Sequence, residues 1–92
     1  MPRLVIPDEV AAVIRGLHPQ LKKKVRSSLE RILADPRAGK CLLDELEGLR
    51  SFRVGRFRII YRVTPKKDIE LVAVGPRVRI YEDTYRIVKK QS

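Results

Sequence analysis

The chain has 92 residues, 43% hydrophobic and 35% charged, which is one small folded domain (1–92) with a thin core rather than a disordered tail. Lys plus Arg total 21 against 11 Asp plus Glu, a formal net charge of +10. A field that positive on so small a body selects polyanions as partners: nucleic acid, an anionic membrane surface or an acidic protein.

Arg3 to Ile6 is short, β-branched and bounded by Pro2 and Pro7, so it reads as a strand near a sheet edge. Pro7-Asp8-Glu9 opens a helix with acids in its first turn, and Val10, Val13, Ile14 and Leu17 line one face of it. Gly16 to Pro19 breaks that helix. Pro19 opens a second, with an apolar stripe of Leu21, Val25, Leu29, Ile32 and Leu33, and Asp35-Pro36 ends it. Residues 37–40 read as loop, and the segment from Leu42 to Gly48 has no firm assignment.

From Leu49 the apolar period changes from 3.6 to 2. Residues 50–54, 57–63 and 69–74 read as strands, with turns at Gly55-Arg56 and Pro65 to Asp68. Ile80, Thr84, Ile87 and Val88 recur at helical spacing and suggest a short final helix over 81–90. The expectation is an α+β domain: an N-terminal strand and helical hairpin packed on one face of a small antiparallel sheet, closed by a short C-terminal helix.

The charge is concentrated. Residues 48–67 hold Arg50, Arg53, Arg56, Arg58, Arg62, Lys66 and Lys67 and no acid. A two-residue turn with glycine first places Gly55-Arg56 at the hairpin tip and pairs Val54 with Phe57, Arg53 with Arg58 and Phe52 with Ile59. Phe52, Val54, Phe57, Ile59 and Tyr61 then share the core face, and Arg53 and Arg58 face each other on the opposite side. Like charges directly opposite one another are unfavourable. An anion between them reverses the sign, and two guanidinium forks suit a phosphate. The plainer alternative is a solvated basic face guarding exposed strands.

A second cluster, Gly75-Pro76-Arg77-Val78-Arg79-Ile80-Tyr81, follows the last strand. Arg77 is a candidate third cation for the patch, and Tyr81 either adds a hydroxyl or anchors the final helix. Lys22, Lys23 and Lys24 form a third basic run on the second helix, a solvated face or a hold on extended nucleic acid.

What the chain lacks narrows its chemistry. His18 is the one histidine and Cys41 the one cysteine. There is no metal-ligand cluster and no glycine loop for phosphate, and no metal or other cofactor is expected. Cys41 reads as a small buried side chain. Pro2, Pro7, Asp8 and Glu9 interrupt any signal-peptide pattern, and no apolar run nears the roughly 20 residues of a membrane span, so the expected compartment is the cytoplasm, without a membrane partner.

The run from Leu46 to Val63, L-E-G-L-R-S-F-R-V-G-R-F-R-I-I-Y-R-V, resembles the central hairpin of the RelE/ParE toxin superfamily, and Ala73 to Tyr81 resembles its terminal G-H-R-x-x-V-Y segment. The opening strand, helical hairpin and length fit as well. The resemblance implies a RelE/ParE-like, microbial RNase-like fold and a toxin of a type II toxin–antitoxin module, bound in a hetero-oligomer by a cognate antitoxin. RelE-like members enter the ribosomal A site and cleave mRNA by attack of the ribose 2′-hydroxyl on the adjacent phosphate, which inhibits translation. ParE-like members inhibit DNA gyrase instead.

By position, the resemblance gives Arg53 the part of a basic residue that orients the attacking hydroxyl. Arg58 holds the scissile phosphate, Arg77 stabilises the transition state or the leaving oxygen, and Tyr81 stacks on the base or moves a proton. Arg50, Arg56, Arg62 and Arg79 join Lys22, Lys23 and Lys24 as expected RNA contacts. Two positions depart from the pattern: Gly55 stands where some active relatives have a second basic residue, and Pro76 stands where the histidine is common. The favoured expectation is a ribosome-dependent endoribonuclease. The alternatives are a gyrase inhibitor without nuclease activity and an inactive nucleic-acid or antitoxin-binding module.

Overall fold

Two prolines start the helical hairpin. Pro7 precedes α1 (Asp8–Arg15), whose first turn sets Asp8 and Glu9 against the positive end of the helix dipole, and Gly16 closes it. Pro19 opens α2 (Pro19–Ala34), capped by His18, whose Nδ1 accepts the Gln20 amide. Asp35 is extended because Pro36 follows it. These observations come from a computed structural model that describes residues 3–91; Pro2, expected to bound the first strand, lies outside that range.

β3 (Arg50–Val54) and β4 (Phe57–Val63) form the hairpin in the expected register, with Val54 opposite Phe57, Arg53 opposite Arg58 and Phe52 opposite Ile59. Gly55 sits at φ +60°, the left-handed region that begins such a tight turn and that a side chain would strain. β5 (Ile69–Pro76) pairs antiparallel with the other side of β4 and runs on through Gly75 and Pro76, beyond its expected end.

Both sheet edges differ from the expectation. β1 (Leu4–Val5) lies parallel to β5, with Leu4 opposite Ile69, so the sheet is mixed rather than wholly antiparallel. A parallel pair needs a long connection, and everything between residues 5 and 69 supplies it. At the other edge β2 (Lys40–Cys41) pairs with β3, followed by a 3-10 turn at Asp44–Leu46. A two-residue strand is too short to show alternation, so local pattern holds no signal for it. Cys41 is exposed on that edge strand, which corrects the buried placement expected for it. The strand order is β1-β5-β4-β3-β2.

The helical hairpin covers one face of the sheet. Val10, Val25, Leu29 and Ile32 meet Phe52, Val54, Ile59, Tyr61, Ile69 and Leu71 there. Val13, expected on this face, stays exposed at the margin of α1. The opposite face is covered in part by α3 (Ile80–Gln91), which starts at Ile80, one residue before the expected Tyr81. Ile80 packs on Leu49, Ile60 and Ala73, with Ile87 and Val88 against them. Thr84 is wholly buried and donates its hydroxyl to the Ile80 carbonyl.

An irregularity in the β4–β5 pairing, where Ile60 opposes Ala73 but Tyr61 opposes Leu71, resets the alternation. Leu71 therefore joins the first core and Ala73 the second. Tyr61 latches the loop after α2: its hydroxyl donates to the Pro36 carbonyl and accepts the Gly39 amide, both at 2.8 Å. Burial raises the Tyr61 pKa, opposed in part by the Gly39 hydrogen bond.

Candidate phosphodiester-binding face

Arg53 and Arg58 stand directly opposite each other on the sheet face away from the helical hairpin. Gly75 is the residue of β5 across from Arg58. A Cβ at Gly75 would come within 3.0 Å of Ile80 Cδ1, so the start of α3 packs close to the sheet there. Beyond β5 the chain stays beside the hairpin tip, because the Arg77 amide donates to the Arg56 carbonyl at 2.8 Å. Arg77 is exposed on that segment. The topology thus brings Arg53, Arg58 and the backbone of Arg77 to the hairpin end of the sheet.

Arg58 is half-buried, and its Nε is buried without a hydrogen-bond partner. A buried guanidinium nitrogen left unpaired is costly, and an anionic oxygen is the natural group to satisfy it. Arg53 donates from Nε to the Gly55 carbonyl at 3.4 Å, a long bond that holds it loosely. Among the described residues, no ion pair includes Arg53, Arg56, Arg58 or Arg77. The positive charge at this end of the sheet is not neutralised from within.

The remaining basic residues divide. Arg50 is held inside the fold, with Nη1 donating to the Gly39 carbonyl at 2.8 Å. Arg62 is paired with Glu70 on the neighbouring strand, away from the tip. Arg79 lies 3.8 Å from Asp83, one turn along α3. Arg56 is exposed at the tip itself. Lys22 lines an apolar groove with Leu4, Ile6 and Ile14, whereas Lys23 and Lys24 border a separate hollow with Ser27 and Arg31.

Tyr81 is the second residue of α3, and its hydroxyl lies 3.2 Å from Ser51 Oγ. Ser51 is buried and precedes Arg53 by two residues, so it lies on the same sheet face. Sequence reading missed Ser51; its spacing from Arg53 was the available signal. Gly55, at the departure from the family pattern, is the turn residue itself, and Pro76 is the last residue of β5, opposite Phe57. His18 is engaged as the α2 cap, so no imidazole serves the arginine face. Among the described residues no helix is long and apolar enough to cross a membrane.

A family model described as "ParE toxin of type II toxin-antitoxin system, parDE" matches residues 9–81. No curated protein sequence matches significantly. Among solved structures, the chain is similar to the toxin–antitoxin complex RelBE2 from Mycobacterium tuberculosis, with 25% identity over 84% of this chain and 100% of that one and a TM-score of 0.73. A double mutant of the E. coli toxin RelE in the free state aligns over 98% of this chain and 96% of that one, at 17% identity and TM-score 0.78. The archaeal RelE–RelB complex from Pyrococcus horikoshii OT3 aligns over 85% and 97%, at 22% identity and TM-score 0.69. The family model spans most of the chain, and the chain belongs to the ParE toxin family of type II toxin–antitoxin systems, within the RelE/ParE superfamily.

Proposed function

We propose that this toxin is a ribosome-dependent endoribonuclease that cleaves mRNA at the arginine face. The observation that carries the reading is the unneutralised Arg53–Arg58 pair, with Arg58 Nε buried and unpartnered. In the reaction, the ribose 2′-oxygen bonds to phosphorus and the bond from phosphorus to the 5′-oxygen breaks. The hydroxyl proton is lost and a proton is returned to the leaving oxygen, giving a cyclic phosphate and a free 5′-hydroxyl. Arg53 orients the attacking hydroxyl, Arg58 holds the phosphoryl oxygens and Arg77 meets the leaving side. Fixed cations aimed at charge that develops in the transition state lower its energy most in a site that excludes water. Tyr81, steadied by Ser51, stacks on a base or passes a proton.

No carboxylate or imidazole is assigned to this face, so the chemistry rests on positioning and charge neutralisation, with the ribosome presenting a bent message. An antitoxin is the expected protein partner, since similar structures are toxin–antitoxin complexes. An acidic partner fits a chain of net charge +10.

Mapping 5′ ends on programmed ribosomes with purified toxin tests the reading. Cleavage in the A-site codon by the wild type, lost in Arg58→Ala, is the expected result; intact message with wild-type toxin overturns it. The ParE description of the matching family favours a second reading, gyrase inhibition. In that case supercoiling assays respond to the toxin and translation does not.

A further inference from the structure

We infer that α2 carries a second phosphate-holding site, through which a single-stranded RNA seated on the arginine face continues around the hairpin tip. The inference rests on the ribonuclease reading above and adds to it a requirement for strand length. A hollow of about 330 Å³ opens between α2 and the end of β3, lined by Lys23, Lys24, Ser27, Ser28, Arg31 and Val54. Residues 24, 27, 28 and 31 recur at helical spacing, so one face of α2 aims them at this hollow.

The cations there are not neutralised from within. Among the described residues no ion pair involves α2. The Arg31 guanidinium lies 5.6 Å from the Phe52 ring centroid, a stack that orients it. Ser28 spends its hydroxyl on the Lys24 carbonyl, while Ser27 is exposed and available as a phosphate donor. Three like charges around one hollow repel each other, and a phosphate reverses the sign of that term.

The location supplies the path. Val54 borders the hollow on the helical side of the sheet, and its neighbour Arg53 belongs to the opposite face. Arg56 is exposed at the tip between them. A polyanion joining the two sites must turn around one β-hairpin. A duplex, with a persistence length of about 150 base pairs, cannot make that turn, and a single strand can. An acidic protein segment is the competing occupant of a basic hollow; continuity with Arg56 and the arginine face favours the RNA strand, and polyglutamate in the test below separates the two.

The test is fluorescence anisotropy of the full-length toxin with labelled, 2′-O-methylated RNA, comparing a trinucleotide with a strand of about twelve nucleotides. Lys23→Ala/Lys24→Ala should reduce the salt slope of log K for the long strand by about 0.7, the loss of the one phosphate the hollow holds, and leave the trinucleotide unchanged. Arg31→Lys should weaken the long strand alone. Lys66→Ala/Lys67→Ala removes equal charge from the turn between β4 and β5, at the other end of the sheet, and should leave the slope intact.

An unchanged slope in the Lys23/Lys24 variant overturns the inference. So does an equal loss in the Lys66/Lys67 variant, or an equal loss for duplex RNA or polyglutamate. Trinucleotide binding that survives Arg58→Ala counts against the arginine face instead and leaves the α2 site standing. Melting curves of each variant confirm that it is folded.

Discussion

The two faces of one sheet have been given opposite tasks. Under the helical hairpin the face is sealed: Ile32, Ile59, Tyr61 and Ile69 are wholly buried. On the other face α3 seals one end, with Ile60 wholly buried beneath Ile80, and the hairpin end is left to Arg53 and Arg58. Because side chains alternate along a strand, each β residue contributes to one task only. Arg58 sits between Phe57 and Ile59 in sequence yet shares no core with them. The core under α1 and α2 can therefore be as tight as stability needs while charge repulsion is confined to the opposite face.

The sharpest way to break this comparison is to remove the cations. Arg58→Ala or Arg77→Ala should each lower the cleavage rate by about 10²–10³, the usual cost of one transition-state donor. Arg58→Ala should leave the urea midpoint nearly unchanged, because its Nε has no internal partner to lose. A large stability loss in Arg58→Ala would show that the arginine is structural.

Next in size are paired core deletions. Ile59→Ala and Ile60→Ala remove neighbouring side chains from opposite faces, both wholly buried. Each should cost about 2–5 kcal/mol in urea unfolding. A cost under about 1 kcal/mol at Ile60 alone would mean that α3 protects its face only weakly. Tyr61→Phe should cost about 1–3 kcal/mol, since the Gly39 amide and Pro36 carbonyl lose their shared partner. Gly39→Ala should be worse, because a Cβ there would meet the Tyr61 ring at 2.7 Å.

The smallest expected effect lies at the edge. The Arg3 amide donates to Asp68 Oδ1 at 3.1 Å, and this bond, with the Arg3 charge, holds the Asp68 carboxyl below its ordinary pKa. A depressed folded pKa contributes stability that is present above the unfolded value of about 3.9 and is lost as pH falls through the folded value. Asp68→Asn should lower the Tm slightly at pH 7 and shrink the drop on acidification. An identical acid profile in the variant would remove Asp68 from the account.

The Arg53–Arg58 pairing was legible because a two-residue turn fixes register and alternation fixes faces, both within fourteen residues of chain. Arg79 meeting Asp83 was legible in principle at i, i+4 spacing. The retention of Arg50 was not, because its acceptor is a backbone carbonyl in a loop that the Tyr61 latch and the β2–β3 pairing bring near. Arg62 meets Glu70 through the β4–β5 pairing, which depends on where the alternation resets. The RelE/ParE resemblance rested on the same hairpin and the segment after β5, which the family match also spans.

Nearest neighbours along the chain specify both helices of the hairpin, the three central strands, the β-hairpin register and the surplus of positive charge. Periodicity, turn glycines and prolines act over a few residues, so no distant information was needed. Contacts across the fold set the rest: β1 returns parallel to β5, α3 builds a second core, and some arginines are taken up internally. Those outcomes depend on segments far apart in sequence meeting in space, and local pattern carries no record of such meetings.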